Sequence, residues 1–141
     1  MIVDSPFFHV FQLKAIGNVT GMPVFTLTLT NKHGFHMRAY DDLNSATDYI
    51  DLLPLKTVLG NWIQATFKAN FMDSSKSGYI NVSFKNLNGS QLLQGVKASF
   101  RTFYSGAEFV RPKWGLYRAI NSASNEFDTE LFQQIQIWKR N

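Results

Sequence analysis

The chain predicts an all-β fold, a single two-sheet antiparallel jelly roll or sandwich spanning residues 1–141. Three observations predict it. Apolar and polar residues alternate with period two through most of the sequence, as strands with one buried face require. Clusters of Gly, Asn, Asp and Pro interrupt that alternation at short intervals, where turns belong. No internal repeat, linker or low-complexity run divides the chain, and 45% hydrophobic residues, with 13 Phe among them, supply one packed core.

The elements follow in order. Residues 7–16 alternate, with Phe7, His9, Phe11 and Leu13 on one face and Phe8, Val10, Gln12 and Lys14 on the other. A turn at residues 17–21 leads to a strand over 23–30, with Phe25, Leu27 and Leu29 opposite a row of threonines. Asn31-Lys-His-Gly34 turns the chain into a strand over 35–40. Residues 41–60 show no sustained period and read as a long connection between the sheets. Residues 62–71 alternate cleanly, placing Ile63, Ala65, Phe67, Ala69 and Phe71 together. The strand over 79–85 turns Ile80, Val82 and Phe84 to the core, and Asn88-Gly89 is a hairpin signal. Further strands are predicted over 98–104, 113–118 and 130–138. The last competes with a helix over 129–139, because Glu, Leu and Gln favour helices while its β-branched end favours a strand.

Composition removes several kinds of chemistry. Without cysteine there is no disulfide, no thiolate nucleophile and no Cys-based zinc site. A net charge of +4, from 14 basic and 10 acidic side chains, suits an anionic partner. No block of Lys or Arg marks a nucleic-acid binder, and no apolar run has membrane-spanning length. The first residues show no signal-peptide pattern, although sequons at Asn18, Asn81 and Asn88 would suit a secreted chain. The segments also lack a Ser-His-Asp arrangement, a phosphate-binding glycine loop and paired carboxylates spaced for a hydrolase. His33 and His36 have no third ligand nearby in sequence, so no metal or cofactor is expected; Asp41-Asp42 reads as a solvated turn before a calcium site. His9 reads as a core or boundary histidine, and Trp62 and Trp138 as packing residues before sugar platforms.

The segment Phe109-Val-Arg-Pro-Lys-Trp-Gly-Leu-Tyr-Arg118 carries the most chemistry. As a strand it puts Arg111, Lys113, Gly115 and Tyr117 on one face. Two cations can hold a carboxylate, a glycine lets a sugar ring approach the backbone, and a phenol can transfer a proton. By alternation alone, the same residues read first as solvated edge charges beside a packed aromatic.

Lys113-x-Gly115-x-Tyr117 resembles the Lys-x-Gly-x-Tyr strand of jelly-roll polysaccharide lyases, and the longer segment is similar to their heparin lyase-like and glucuronan lyase-like branch. Phe11-Gln12-Leu13-Lys14 resembles the Gln-Ile-His strand that lies beside the tyrosine in those enzymes, with Lys14 where they have histidine. The hairpin over 77–89 looks like their Gly-x-Ile-x-Val…Asn-Gly hairpin. The resemblance runs from about Phe7 to the C-terminus and implies a concanavalin-like jelly roll, shortened by its N-terminal strands. It implies an acidic polysaccharide as partner, an extracellular location and β-elimination at a uronate. Tyr117, Lys14 and Gln12 would be catalytic, with Tyr117 moving the proton and Gln12 bonding the carboxylate; Lys113, Arg111 and Gly115 would bind substrate. A free phenol titrates near about 10, so it needs cations beside it to act as a base at neutral pH. Two other readings stand beside this one: a non-catalytic module for acidic glycans, and a shortened domain that self-associates through open sheet edges.

Overall fold

β-branched and aromatic residues fit a pleated, half-buried surface, and here they pair into two antiparallel sheets. The computed structural model describes residues 8–19, 23–40, 46–73, 78–118 and 134–138. Strands β1 (Phe8–Gly17), β2 (Pro23–Thr30), β3 (Gly34–Tyr40) and β4 (Ala46–Leu53) are followed by a single helical turn, α1 (Leu55–Val58). Then come β5 (Ile63–Asn70), β6 (Tyr79–Asn86), β7 (Gln91–Ser99) and β8 (Ala107–Arg118). One sheet has the order β4-β3-β2-β1-β8 and the other β5-β6-β7. The late strand β8 therefore returns to lie beside β1, which brings the first and last described strands together.

The core forms where the inner faces meet. Phe25, Leu27, Leu29, Met37 and Ala39 on β2 and β3 are buried, as are Ile80, Val82 and Phe84 on β6. Rings join the sheets: Phe11 stacks on Phe67 with centroids 4.3 Å apart, and Phe35 stacks on Phe84 at 5.8 Å. At one end Tyr104, 1% exposed, donates its hydroxyl to the Tyr40 carbonyl at 2.9 Å. Close by in sequence, Thr102 Oγ1 accepts from Met72 N–H and donates to the Asn70 carbonyl. That clip ties the end of β5 to the exit of β7.

Several elements differ from the sequence expectation. Residues 41–60 are not one long connection, because 46–53 form β4, the outer neighbour of β3, and 55–58 form α1. Its residues, Ala-Thr-Asp-Tyr-Ile-Asp-Leu-Leu, show no sustained apolar–polar alternation, so its signal is weak. The strand expected over 98–104 lies earlier, as β7. Two steps along β6, from Val82 to Phe84, face three along β7, from Val96 to Leu93, and Gly95 within that excess has φ +49°. Such a bulge breaks the period that would have marked the strand. β8 begins at Ala107, six residues before the expected start at Lys113. It accommodates Pro112 because an edge strand has a side that needs no N–H donor. Of the strand expected over 130–138, residues 130–133 lie outside the described residues; 134–138 are exposed and belong to no strand.

Gly34 opens β3 with φ +62°, and a Cβ there would lie 2.2 Å from the Leu53 carbonyl oxygen. Both the backbone conformation and the packed β4 backbone therefore demand glycine. Gly34→Ala should lower unfolding free energy by about 2–3 kcal/mol, combining left-handed strain with backbone displacement. Urea titration measures it, and a loss under about 0.5 kcal/mol would mean that the β3–β4 contact is not formed as described.

Candidate functional site

The face of the five-stranded sheet turned away from β5–β7 carries the polar residues, and cross-strand register arranges them in rows. In one row His36 on β3 is opposite Thr28 on β2, Thr28 is opposite His9 on β1, and His9 is opposite Tyr117 on β8. In the next row Arg38 is opposite Thr26, Thr26 is opposite Gln12, and Gln12 is opposite Lys113. Beyond it Lys14 is opposite Arg111. Directly opposed residues in an antiparallel pair share a face, so all of these side chains emerge on the same side.

His9 reaches that side through an irregularity. From His9 to Phe11, two steps of β1 face one step of β2 and three steps of β8. The extra β1 residue reverses the parity of the strand. His9 leaves the Phe11/Leu13 face expected for it and joins Gln12, while Phe8 turns to the core. The matching excess on β8 includes Gly115, whose φ of +124° suits glycine and whose missing Cβ faces open space.

The patch is buried at its centre and exposed along β8. Thr26, Thr28 and His36 are fully buried, and His9 and Gln12 nearly so. Lys14 is half-buried, whereas Arg111, Lys113 and Tyr117 are exposed, Tyr117 by 56%. The His9 and Tyr117 rings are almost parallel, 11° apart in plane with centroids 5.9 Å apart. His9 Nδ1 lies 2.7 Å from Thr28 Oγ1, which lies 3.0 Å from Thr26 Oγ1. The Arg38 guanidinium stands over the Tyr40 ring at 5.3 Å.

Burial strips water from the His9 imidazole, and the positive fields of Arg38 and His36 add to that effect, so its pKa falls to about 4. The ring is neutral at physiological pH. Burial also lowers the pKa of His36; Arg38 and His33 push the same way, against a backbone hydrogen bond at Gly34 and the Asp51 carboxylate. The His33 ring meets Asp51 at 3.1 Å and His36 edge-on at 5.5 Å. Among the described residues, no three His, Asp or Glu side chains are arranged to hold a metal ion.

The six residues singled out from the sequence thus lie on neighbouring strands, and five of them point from one face. Gln12, Lys113, Lys14 and Arg111 sit in adjacent rows, and Tyr117 stands one row further along, level with His9. Gly115 contributes backbone at the bulge. Gln12 is only 7% exposed, so its amide is less accessible than the exposed cations beside it. Alternation missed His9 and Arg38. The alternating threonines of β2 were the available signal, since a polar row on a central strand must be matched by polar neighbours on both sides. The Asp41-Asp42 pair lies outside the described residues. Trp62 and Trp138 are exposed, at 45% and 79%, and neither packs in the core. Compared with family models, curated proteins and solved structures, the chain matches none.

Proposed function

We propose that the outer face of the five-stranded sheet binds an acidic, uronate-containing polysaccharide and cleaves it by β-elimination. The observation that carries this reading is the convergence, on one face of β1 and β8, of a phenol, a neutral imidazole, an amide and three cations. Lys113 and Arg111, both exposed, neutralise the uronate carboxylate, with Lys14 and the Gln12 amide behind them. Neutralising that carboxylate acidifies the adjacent C5 proton. Tyr117 transfers the proton, the C4–O4 bond breaks, and a C4–C5 double bond forms as O4 leaves with a proton. Open space in front of Gly115 leaves room for the sugar ring beside the phenol. His9, packed flat against Tyr117, fixes the direction of the phenol ring.

The test is incubation with glucuronan, alginate and heparin, reading the ultraviolet absorbance of unsaturated uronate ends. Product should form on at least one polymer, and Tyr117→Phe should lower kcat by about 10²–10⁴-fold with the fold intact. Absence of product on all three, at neutral and alkaline pH, rules out the lyase reading.

The near-complete burial of Gln12 favours a second reading, a non-catalytic module that holds acidic glycans on the exposed β8 cations. Binding without turnover that survives Tyr117→Phe but is lost in Lys113→Ala/Arg111→Ala selects it.

A further inference from the structure

The hydroxyls of Thr26 and Thr28 form a buried chain that ends on the His9 ring, and each link has a donor to place. Oγ1 of Thr26 lies 3.0 Å from Oγ1 of Thr28, and Oγ1 of Thr28 lies 2.7 Å from His9 Nδ1. Both threonines are fully buried, so the chain cannot exchange its order with bulk water. Each hydroxyl has a single proton to give. Across the sheet, Thr26 is opposite Arg38, whose guanidinium has five donors and no acceptor. Arg38 cannot take the Thr26 proton, and its positive charge, which is felt as far as His9, favours a hydroxyl whose proton points away from it. That direction leads to Thr28. With its oxygen accepting from Thr26, Thr28 gives its own proton to His9 Nδ1.

We propose that Thr28, ordered by Thr26, is a positioning residue that holds His9 as the tautomer protonated on Nε2. Nδ1 is then an acceptor engaged in the interior, and Nε2–H is the donor at the ring's other end. This deepens the uronate reading and rests on it for its catalytic consequence. A histidine fixed as a donor serves to hold the negative charge that builds on the carboxylate as the C5 proton leaves. It does not serve as the base, which leaves proton transfer to Tyr117. The tautomer itself stands on the hydrogen-bond chain and on the cation opposite Thr26, and needs no substrate.

Long-range proton–nitrogen correlation spectra of ¹⁵N-histidine-labelled protein at neutral pH read the tautomer directly. The wild type should show His9 with a pyrrole-like Nε2 and a pyridine-like Nδ1. Thr28→Val should collapse that difference towards a mixture, Thr28→Ser should restore it, and Thr26→Val should weaken it while leaving Thr28 in place. A wild-type spectrum with Nδ1 protonated overturns the proposal. So does a Thr28→Val spectrum identical to wild type, with the other amide resonances showing a native fold. If Thr28→Val does not fold, the wild-type and Thr26→Val spectra still decide the point. The readout needs no substrate, so failure of the lyase assay and failure of the tautomer assignment are separate results.

Discussion

Phe25→Ala should cost about 3–5 kcal/mol of unfolding free energy. Phe25 is fully buried near the start of β2, which is itself the central strand of its sheet. Its ring meets Phe11 edge-on at 6.4 Å and Phe67 at 6.0 Å. Phe67 comes from β5, so this ring group joins both sheets and two adjacent strands at one point. Removing the ring takes away the transfer energy of a large aromatic and leaves a void that three strands cannot close without moving. In thermal unfolding, the melting temperature should fall by roughly 10 °C or more. Phe25→Leu keeps much of the volume and should lose only a fraction of that. A loss below about 1 kcal/mol for Phe25→Ala would mean that the sheets are not packed through this residue.

The same residues show why much of the architecture was legible. β2 and β6 carry large apolar side chains at alternate positions without interruption, and Phe25, Leu27, Leu29, Ile80, Val82 and Phe84 all reach the core as their spacing requires. The Asn88-Gly89 turn lies where expected between β6 and β7, with Asn86 N–H bonded to the Ser90 carbonyl at 2.9 Å. Alternation fails at bulges, because one inserted residue inverts every later assignment on a strand. That is what displaced β7, where Gly95 sits in the excess, and what hid the true face of His9 on β1. Edge strands fail for another reason. β4 owes its place to backbone pairing with β3, the strand before it, which its own residue pattern does not encode.

The candidate site was legible only along β8 and the second half of β1, where alternation is regular from Gln12 to Lys14 and from Arg111 to Lys113. The remaining members depend on sheet order. Arg38 and His36 reach the polar rows because β2 lies between β3 and β1, and strand order is a tertiary fact. A cation two strands away leaves no mark in the sequence around Gln12. Its effect appears in the depressed His9 pKa, to which Arg38 contributes after burial.

That depression makes acid the second strong lever on this fold. In the unfolded chain a histidine titrates near 6.5, whereas in the folded protein His9 does so at about 4. The unfolded state therefore binds the proton more readily, and stability must fall as pH drops below the unfolded value. The His9 contribution is fully present above pH ~6.5 and is lost progressively down to about 4. Each tenfold preference for the neutral ring is worth about 1.4 kcal/mol, so the full contribution is about 3 kcal/mol, with some 2 kcal/mol gone by pH ~5. His36 is lowered as well, chiefly by burial, and its loss has the same sign. The positive and titratable groups that act on His9 are Arg38 and His36, and the exposed Tyr117 ring lies against it. Urea unfolding at pH ~7.5 and ~5 should show this fall before most carboxylates begin to protonate. His9→Gln keeps a polar side chain opposite Thr28 and removes the titrating ring, so it should reduce the pH slope by up to one proton's worth. Equal stability at both pH values, or a slope unchanged in His9→Gln, would mean that the imidazole is hydrated. The bulge that carries His9 onto the polar face would then not hold it against Thr28, and the rows linking β3 to β8 would be broken at β1.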